Sequence, residues 1–309
     1  MKFEFRERAV FDSGVLAIVA VLCFAGLVAG CNFDRAEASA KFKEALKEYN
    51  NGSTTDAIKD LKEAHEMDPT WAKPALNLAQ IYHDKLGEYE NAERYYREAM
   101  SRDPENKVIP YKLGTVLADM DRHDEAESVL KTAVQDHPDY AKAWFRLGES
   151  QVAQGNYADA VDSYMKSINA DARMRIGDED PGGAAYHALG DVYIRFDFND
   201  KALKVYENGI LNNSEAPRLH HGKGLAQLKL ERYQQAAESF RNALELKENY
   251  PSASFNLAIA QNAMGQRDEA IERLERFLSR AEDQARIVAA QGLLQKLKQQ
   301  KKEESEQSE

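Results

Sequence analysis

Cysteine is nearly absent from this chain: only Cys23 and Cys31 occur in 309 residues. Neither a disulfide framework nor a multi-thiolate metal centre can be assembled from that pair. Cations are outnumbered, 41 Lys and Arg against 52 Asp and Glu, for a net charge of −11. A general nucleic-acid or anionic-membrane surface rests on clustered cations and is excluded; any such contact must be local. Catalytic signatures are missing too. There is no HExxH, no GxSxG, no phosphate-loop GKS or GKT and no CxxC, so no enzyme chemistry and no cofactor is expected. Gly222-Lys223-Gly224 falls inside a helical pattern, and His187 and the His220-His221 pair show no ligand set converging at helical spacing. Asp178, Glu179 and Asp180 lack the glycine and distal glutamate of a calcium loop.

Long apolar runs are also scarce. The single one spans Gly14 to Gly30, seventeen residues without a charge, behind Lys2, Arg6 and Arg8. This is the layout of a signal peptide, and it is short for a permanent span, which needs about twenty apolar residues. It ends in Leu27-Val28-Ala29-Gly30-Cys31, which resembles the lipobox of bacterial lipoproteins. That resemblance implies cleavage after residue 30 and a lipid on the Cys31 sulfur, leaving the mature chain without a free thiol. An uncleaved N-terminal helix is the alternative, since Glu4, Glu7 and Asp12 offset the basic residues.

With 43% hydrophobic residues the remainder can build a core. What it contains is a period. Ala57, Ala92, Ala126, Ala160, Ala202, Ala236 and Ala270 are separated by 35, 34, 34, 42, 34 and 34 residues. Four residues after each stands a large apolar side chain: Leu61, Tyr96, Leu130, Tyr164, Tyr206, Phe240 and Leu274. About twelve residues before each lies another small residue: Ala45, Ala79 (one residue further), Gly114, Gly148, Gly190, Gly224 and Ala258. Small residues at matched points on two amphipathic helices let the backbones approach, and the large residue one turn on fills the space beside them. Each unit is therefore a helical hairpin that cannot bury its own apolar faces, so the units stack. Asn51-Gly52, Gly87, Gly155 and Gly265 mark turns inside hairpins; Asp68-Pro69, Asp103-Pro104 and His137-Pro138 mark turns between them.

The pattern resembles tetratricopeptide repeats (TPR). The resemblance implies an all-α fold, a right-handed superhelical solenoid of about seven hairpins over residues 38–284. The units are 38–71, 72–106, 107–140, 141–174, 183–216, 217–250 and 251–284, with an inserted loop or hinge at 173–183. Residues 31–37 form a tether of roughly 20 Å at full extension. A capping helix is expected at 285–300, with Ile287, Val288, Leu293, Leu294 and Leu297 as its apolar stripe, and a disordered charged tail at 301–309.

By the same resemblance the fifth residue of each unit, Phe42, Leu76, Tyr111, Phe145, His187, His221 and Phe255, faces a concave binding groove. Rings at most of these places suit partner anchoring. Nearby positions supply Lys142, Arg146, Arg195, Arg218 and Lys229 against Glu149 and Asp191, a basic centre in an acidic chain. Lys142 and Arg146 resemble half of a carboxylate clamp, but Tyr111 and Thr115 stand where the other half would be. The expectation is a non-enzymatic scaffold, lipid-anchored in a bacterial envelope, facing the periplasm with the outer membrane favoured. It would bind a protein segment, acidic or C-terminal, in assembly of an envelope complex. With an uncleaved helix the alternative is a membrane-tethered co-chaperone facing the cytoplasm.

Overall fold

The computed structural model describes residues 35–175, 182–279 and 284–307. The lipobox, Cys31 and most of the insertion lie outside them. The described chain forms fifteen helices and no strand. It divides into two compact units, one through Asp121 and one from Arg122. The division falls in the turn that follows Val108–Asp119. The first unit holds α1 (35–50), α2 (Thr54–Met67), α3 (Ala72–Ile81), α4 (Tyr89–Arg102) and α5 (Val108–Asp119). The second holds α6 (His123–Asp136), α7 (Ala141–Ala153), α8 (Tyr157–Ala170), α9 (Ala184–Arg195), α10 (Asn199–Asn212), α11 (Pro217–Lys229), α12 (Tyr233–Leu246), α13 (Pro251–Ala263), α14 (Arg267–Leu278) and α15 (Gln284–Gln307). In each unit, packing runs mainly from one helix to the next.

The period is written into the backbone as well as the side chains. Left-handed conformations occur at Gly52, Gly87, Asp121, Gly155, Asp197, Glu231 and Gly265, one per hairpin. They share the spacing of the alanines. After most of them the next N–H bonds back five residues, as in Asn156 to the Gln151 carbonyl (2.8 Å) and Arg232 to Gln227 (2.8 Å). This closes the orphaned carbonyls at the end of the first helix in a Schellman motif. Four of the seven residues are glycine, which adopts positive φ at no steric cost; Asp121, Asp197 and Glu231 adopt it with a side chain. The one extra residue before Gly87 is taken up by a π-helical turn, Tyr82–Leu86, and the bond there reaches back six residues, from Glu88 to Tyr82.

Small residues meet rings as the period requires. A Cβ on Gly148 would lie 2.6 Å from the Tyr164 ring, and one on Gly224 would lie 2.5 Å from Phe240. Tyr206 is held between two helices at once, since a Cβ on Gly190 or Gly222 would come within 2.4 or 2.3 Å of it. Three hairpins also share a buried polar rung at the far end of the first helix. Gln151 Oε1 accepts from Ser163 Oγ (2.7 Å), Gln227 Oε1 from Ser239 Oγ (2.7 Å), and Gln261 Oε1 from Arg273 Nε (3.0 Å).

Two boundaries differ from those expected. Residues 35–37, assigned to the tether, are already helical. The closing helix α15 continues to Gln307, through most of the tail expected to be disordered. Residues 301–307 contain no proline or glycine, Gln299 bonds to Glu303, Lys302 pairs with Glu306, and Lys301 reaches back to Asp268 on α14 at 2.6 Å. The docked face of α15 is narrower than its sequence stripe: Ala290 and Leu297 are buried against Leu274 and Phe277, while Val288 is exposed.

These contacts set two opposite expectations for thermal unfolding followed by circular dichroism. Gly222→Ala drives a methyl into Tyr206 and should cost about 1–3 kcal/mol. Glu231→Gly removes a side chain from a left-handed position and should gain about 1 kcal/mol. Melting shifts of the same sign would contradict the turn and packing geometry.

Candidate functional site

The expected ladder is present on the first helices, and its rings are mostly taken up inside the protein. In the second unit Phe145 packs on Tyr164 (5.8 Å between centroids), His187 on Tyr206 (6.3 Å), His221 on Phe240 (5.7 Å) and Phe255 on Phe277 (5.8 Å). The first three pairs share a 19-residue offset, so the ring of one helix rests on the ring of its hairpin partner. Phe145 and His221 are buried, which corrects their reading as exposed anchors; His187 and Phe255 are half-buried. In the first unit Phe42 packs on Trp71 at 4.9 Å, Leu76 is half-buried, and Tyr111 is buried with its carbonyl bonded by Thr115 Oγ1 at 2.9 Å. The matched apolar pattern on both helices drives this, because facing rings meet each other before they meet solvent.

A cleft of about 530 Å³ stays open in the second unit between α7, the start of α8, and α9. Val152, Ala153, Ala188 and Val192 form its apolar wall, and Glu149, Asp191 and Arg195 its polar margin. Tyr157 opens α8 at its mouth. Arg195 donates to the Tyr157 hydroxyl (2.7 Å) and lies over its ring (5.1 Å). Phe196 meets the same ring edge-on at 4.9 Å and is 47% exposed. The sequence reading found Glu149, Asp191 and Arg195 but missed Tyr157 and Phe196. They stand at turn ends rather than at the fifth position of a unit; an aromatic residue directly after Gly155-Asn156 is the signal that was available.

The charges here are placed by neighbours. Asp191 accepts from the Tyr206 hydroxyl (2.6 Å) and faces His187 Nδ1 (3.2 Å), and Glu149 holds Arg146 at 2.7 Å. Lys142 is half-buried on α7, Arg218 half-buried near the start of α11, and Lys229 exposed at its end. Burial pushes His187 down despite Asp191, with Arg218 adding to the effect. Burial, with His187 and Arg286 adding, pushes His221 down to about 4. The neutral His221 Nε2 accepts from the Asn256 amide at 3.0 Å. Among the described residues no three His, Cys, Asp or Glu side chains converge as metal ligands. The arrangement is an aromatic mouth with one arginine and two carboxylates on an apolar cleft, suited to holding a side chain of a partner.

The tetratricopeptide repeat pattern matches residues 42–107, 111–178 and 187–254, and a second pattern of the same description matches 85–134 and 227–297. The chain belongs to the tetratricopeptide repeat family, whose repeats are protein-interaction scaffolds. Stress-induced-phosphoprotein 1 of Caenorhabditis elegans is 24% identical over 199 residues, 58% of this chain and 61% of that protein. The chain spans less than two thirds of such curated relatives. Among solved structures, a tetratricopeptide repeat protein of Parabacteroides merdae (TM-score 0.60, 14% identical) matches 84% of this chain and 99% of its own. PilF of Pseudomonas aeruginosa (TM-score 0.56, 20% identical) matches 71% and 96%. At these identities the two structures share the fold.

The depressed histidines set a pH expectation. An unfolded His221 takes up its proton near pH 6.5 and the folded one near 4, so stability is complete above about 6.5 and falls as pH drops toward 4. The loss reaches at most about 3 kcal/mol. His221→Gln should flatten the melting-temperature profile between these values; an unchanged slope would contradict the burial of His221.

Proposed function

We propose that this protein is a lipid-anchored adaptor of a bacterial cell envelope, facing the periplasm from the outer membrane, which captures a segment of a partner protein in the assembly of an envelope complex. The observation that carries the binding part is the α7–α9 cleft, where Tyr157, Arg195 and the half-exposed Phe196 surround an apolar wall. Aromatic and arginine side chains beside a small desolvated pocket are the groups that dominate protein interfaces. With Arg195 at the mouth, an apolar side chain flanked by an acidic one is the complementary segment. The envelope part rests on the run from Gly14 to Cys31. Among the described residues no helix is long and apolar enough to cross a membrane, so attachment falls to the N-terminal segment. Only Asn32, Phe33 and Asp34 separate Cys31 from the described helix, a reach of about 10 Å. With a lipid on Cys31, the repeats would begin within that reach of the membrane.

Two measurements test the two parts separately. Cys31→Ala should leave the precursor uncleaved or the product released from membranes; a mutant still cut and still membrane-bound argues against lipidation. Tyr157→Ala with Arg195→Glu should weaken partner capture from envelope extracts by tenfold or more, equivalent to at least about 1.4 kcal/mol, with the melting temperature nearly unchanged. Equal recovery of the same partners by mutant and parent would move the functional surface elsewhere.

A further inference from the structure

A second cavity, separate from the α7–α9 cleft, lies in the last hairpin region. It has a volume of about 230 Å³ and is a half-open cleft lined by the end of α12, the connection to α13, and α14. Leu244, Tyr250, Pro251 and Phe277 give it an apolar lining, and Ser254, Arg273 and Arg276 enter from the helices. The unusual member is Arg273. Its place in the hairpin is that of Ser163 and Ser239, whose hydroxyls close the polar rung with Gln151 and Gln227. Here Gln261 takes the Arg273 Nε instead, and the rest of the guanidinium projects past the rung. That side chain is half-buried, and among the described residues its two terminal nitrogens bond to no protein acceptor.

The surrounding charge leaves it uncompensated. Burial, with the positive field of Arg276 and Arg241 adding to it, presses Arg273 below the usual arginine range against the weaker opposing pull of Glu272. Glu272 is itself held by Arg276 at 2.9 Å. Glu248 lies exposed at the rim and pairs with neither arginine. A half-buried guanidinium with no carboxylate on its terminal nitrogens gains from an anion that forms charge-assisted hydrogen bonds with them. The apolar lining requires that this anion carry an apolar body. The volume, below the 300 Å³ or so of a drug-sized pocket, limits that body to about one ring or one branched chain.

We propose that the α12–α14 cavity binds a carboxylate carried on a compact apolar group, with Arg273 as the residue that receives the carboxylate. The site stands independently of the partner-binding cleft. The test is calorimetric titration of the full chain with 3-phenylpropionate and with its amide, which has the same body and no charge. The acid should saturate a single site and bind at least tenfold more tightly than the amide, with added salt narrowing the difference. Arg273→Ser, which installs the residue present in two sister hairpins, should abolish that preference while His221 and the fold remain as they are. N-acetyl-alanyl-phenylalanine assigns the source: tighter binding than 3-phenylpropionate marks the end of a peptide, weaker binding a free acid, and either supports the site. Equal binding of acid and amide, no saturable binding up to about 10 mM, or a preference that survives Arg273→Ser would overturn the proposal. If Arg273→Ser unfolds, the acid and amide comparison on the parent chain decides alone.

Discussion

Close approach between a backbone that lacks a side chain and the edge of a ring sets the geometry of the second unit. Gly148 against Tyr164, Gly190 and Gly222 against Tyr206, and Gly224 against Phe240 allow no Cβ without displacement. The distance between these adjacent helices is therefore fixed by how far a ring edge reaches from one to the other. Everything else described there follows from that spacing. The first-helix rings land on second-helix rings, the glutamine rung closes beyond them, and the cleft between α7 and α9 is what the ring stacking leaves unfilled. Tyr206 shows how strongly the constraint binds: wedged between two glycine positions, it still directs its hydroxyl to Asp191 and so orients a carboxylate on the open face.

The sequence carried the fold because its period is chemical. Alanine and glycine at fixed intervals mean close contact whatever stands between them, and the 35-residue interval already showed the extra residue that the π turn absorbs. It carried the site less well. Helical periodicity says which face a ring occupies; it does not say that Phe145 will be covered by Tyr164 nineteen residues later, or that Tyr157 and Arg195, 38 residues apart, will touch. The left-handed residues divide the same way. Gly52, Gly87, Gly155 and Gly265 are legible as turns, whereas Asp121, Asp197 and Glu231 take the same conformation because the helices on either side impose it. The tail was misread for a related reason. Lys301 to Gln307 lack apolar residues, but a helix already docked through Ala290 and Leu297 extends with only local pairs to support it.

The two cavities divide the second unit into separate chemistries. The cleft near Tyr157 is wide, open, and bounded by charges that already have partners, which favours a surface-to-surface encounter. The cavity near Arg273 is smaller and holds a guanidinium whose terminal nitrogens meet no acceptor among the described residues. A repeat array can host both because its contacts are local: what happens between α12 and α14 need not disturb α7 to α9.

That locality also bears on mechanics. Each helix from α7 to α14 packs mainly on the ones before and after it, so a pull along the chain meets resistance one hairpin at a time. A molecule tied at one end to a lipid and at the other to a cargo would then yield in steps of a single hairpin, each step paying out length while the remaining hairpins hold their shape. The compliance of such an array under load is set by its weakest hairpin contact rather than by the whole.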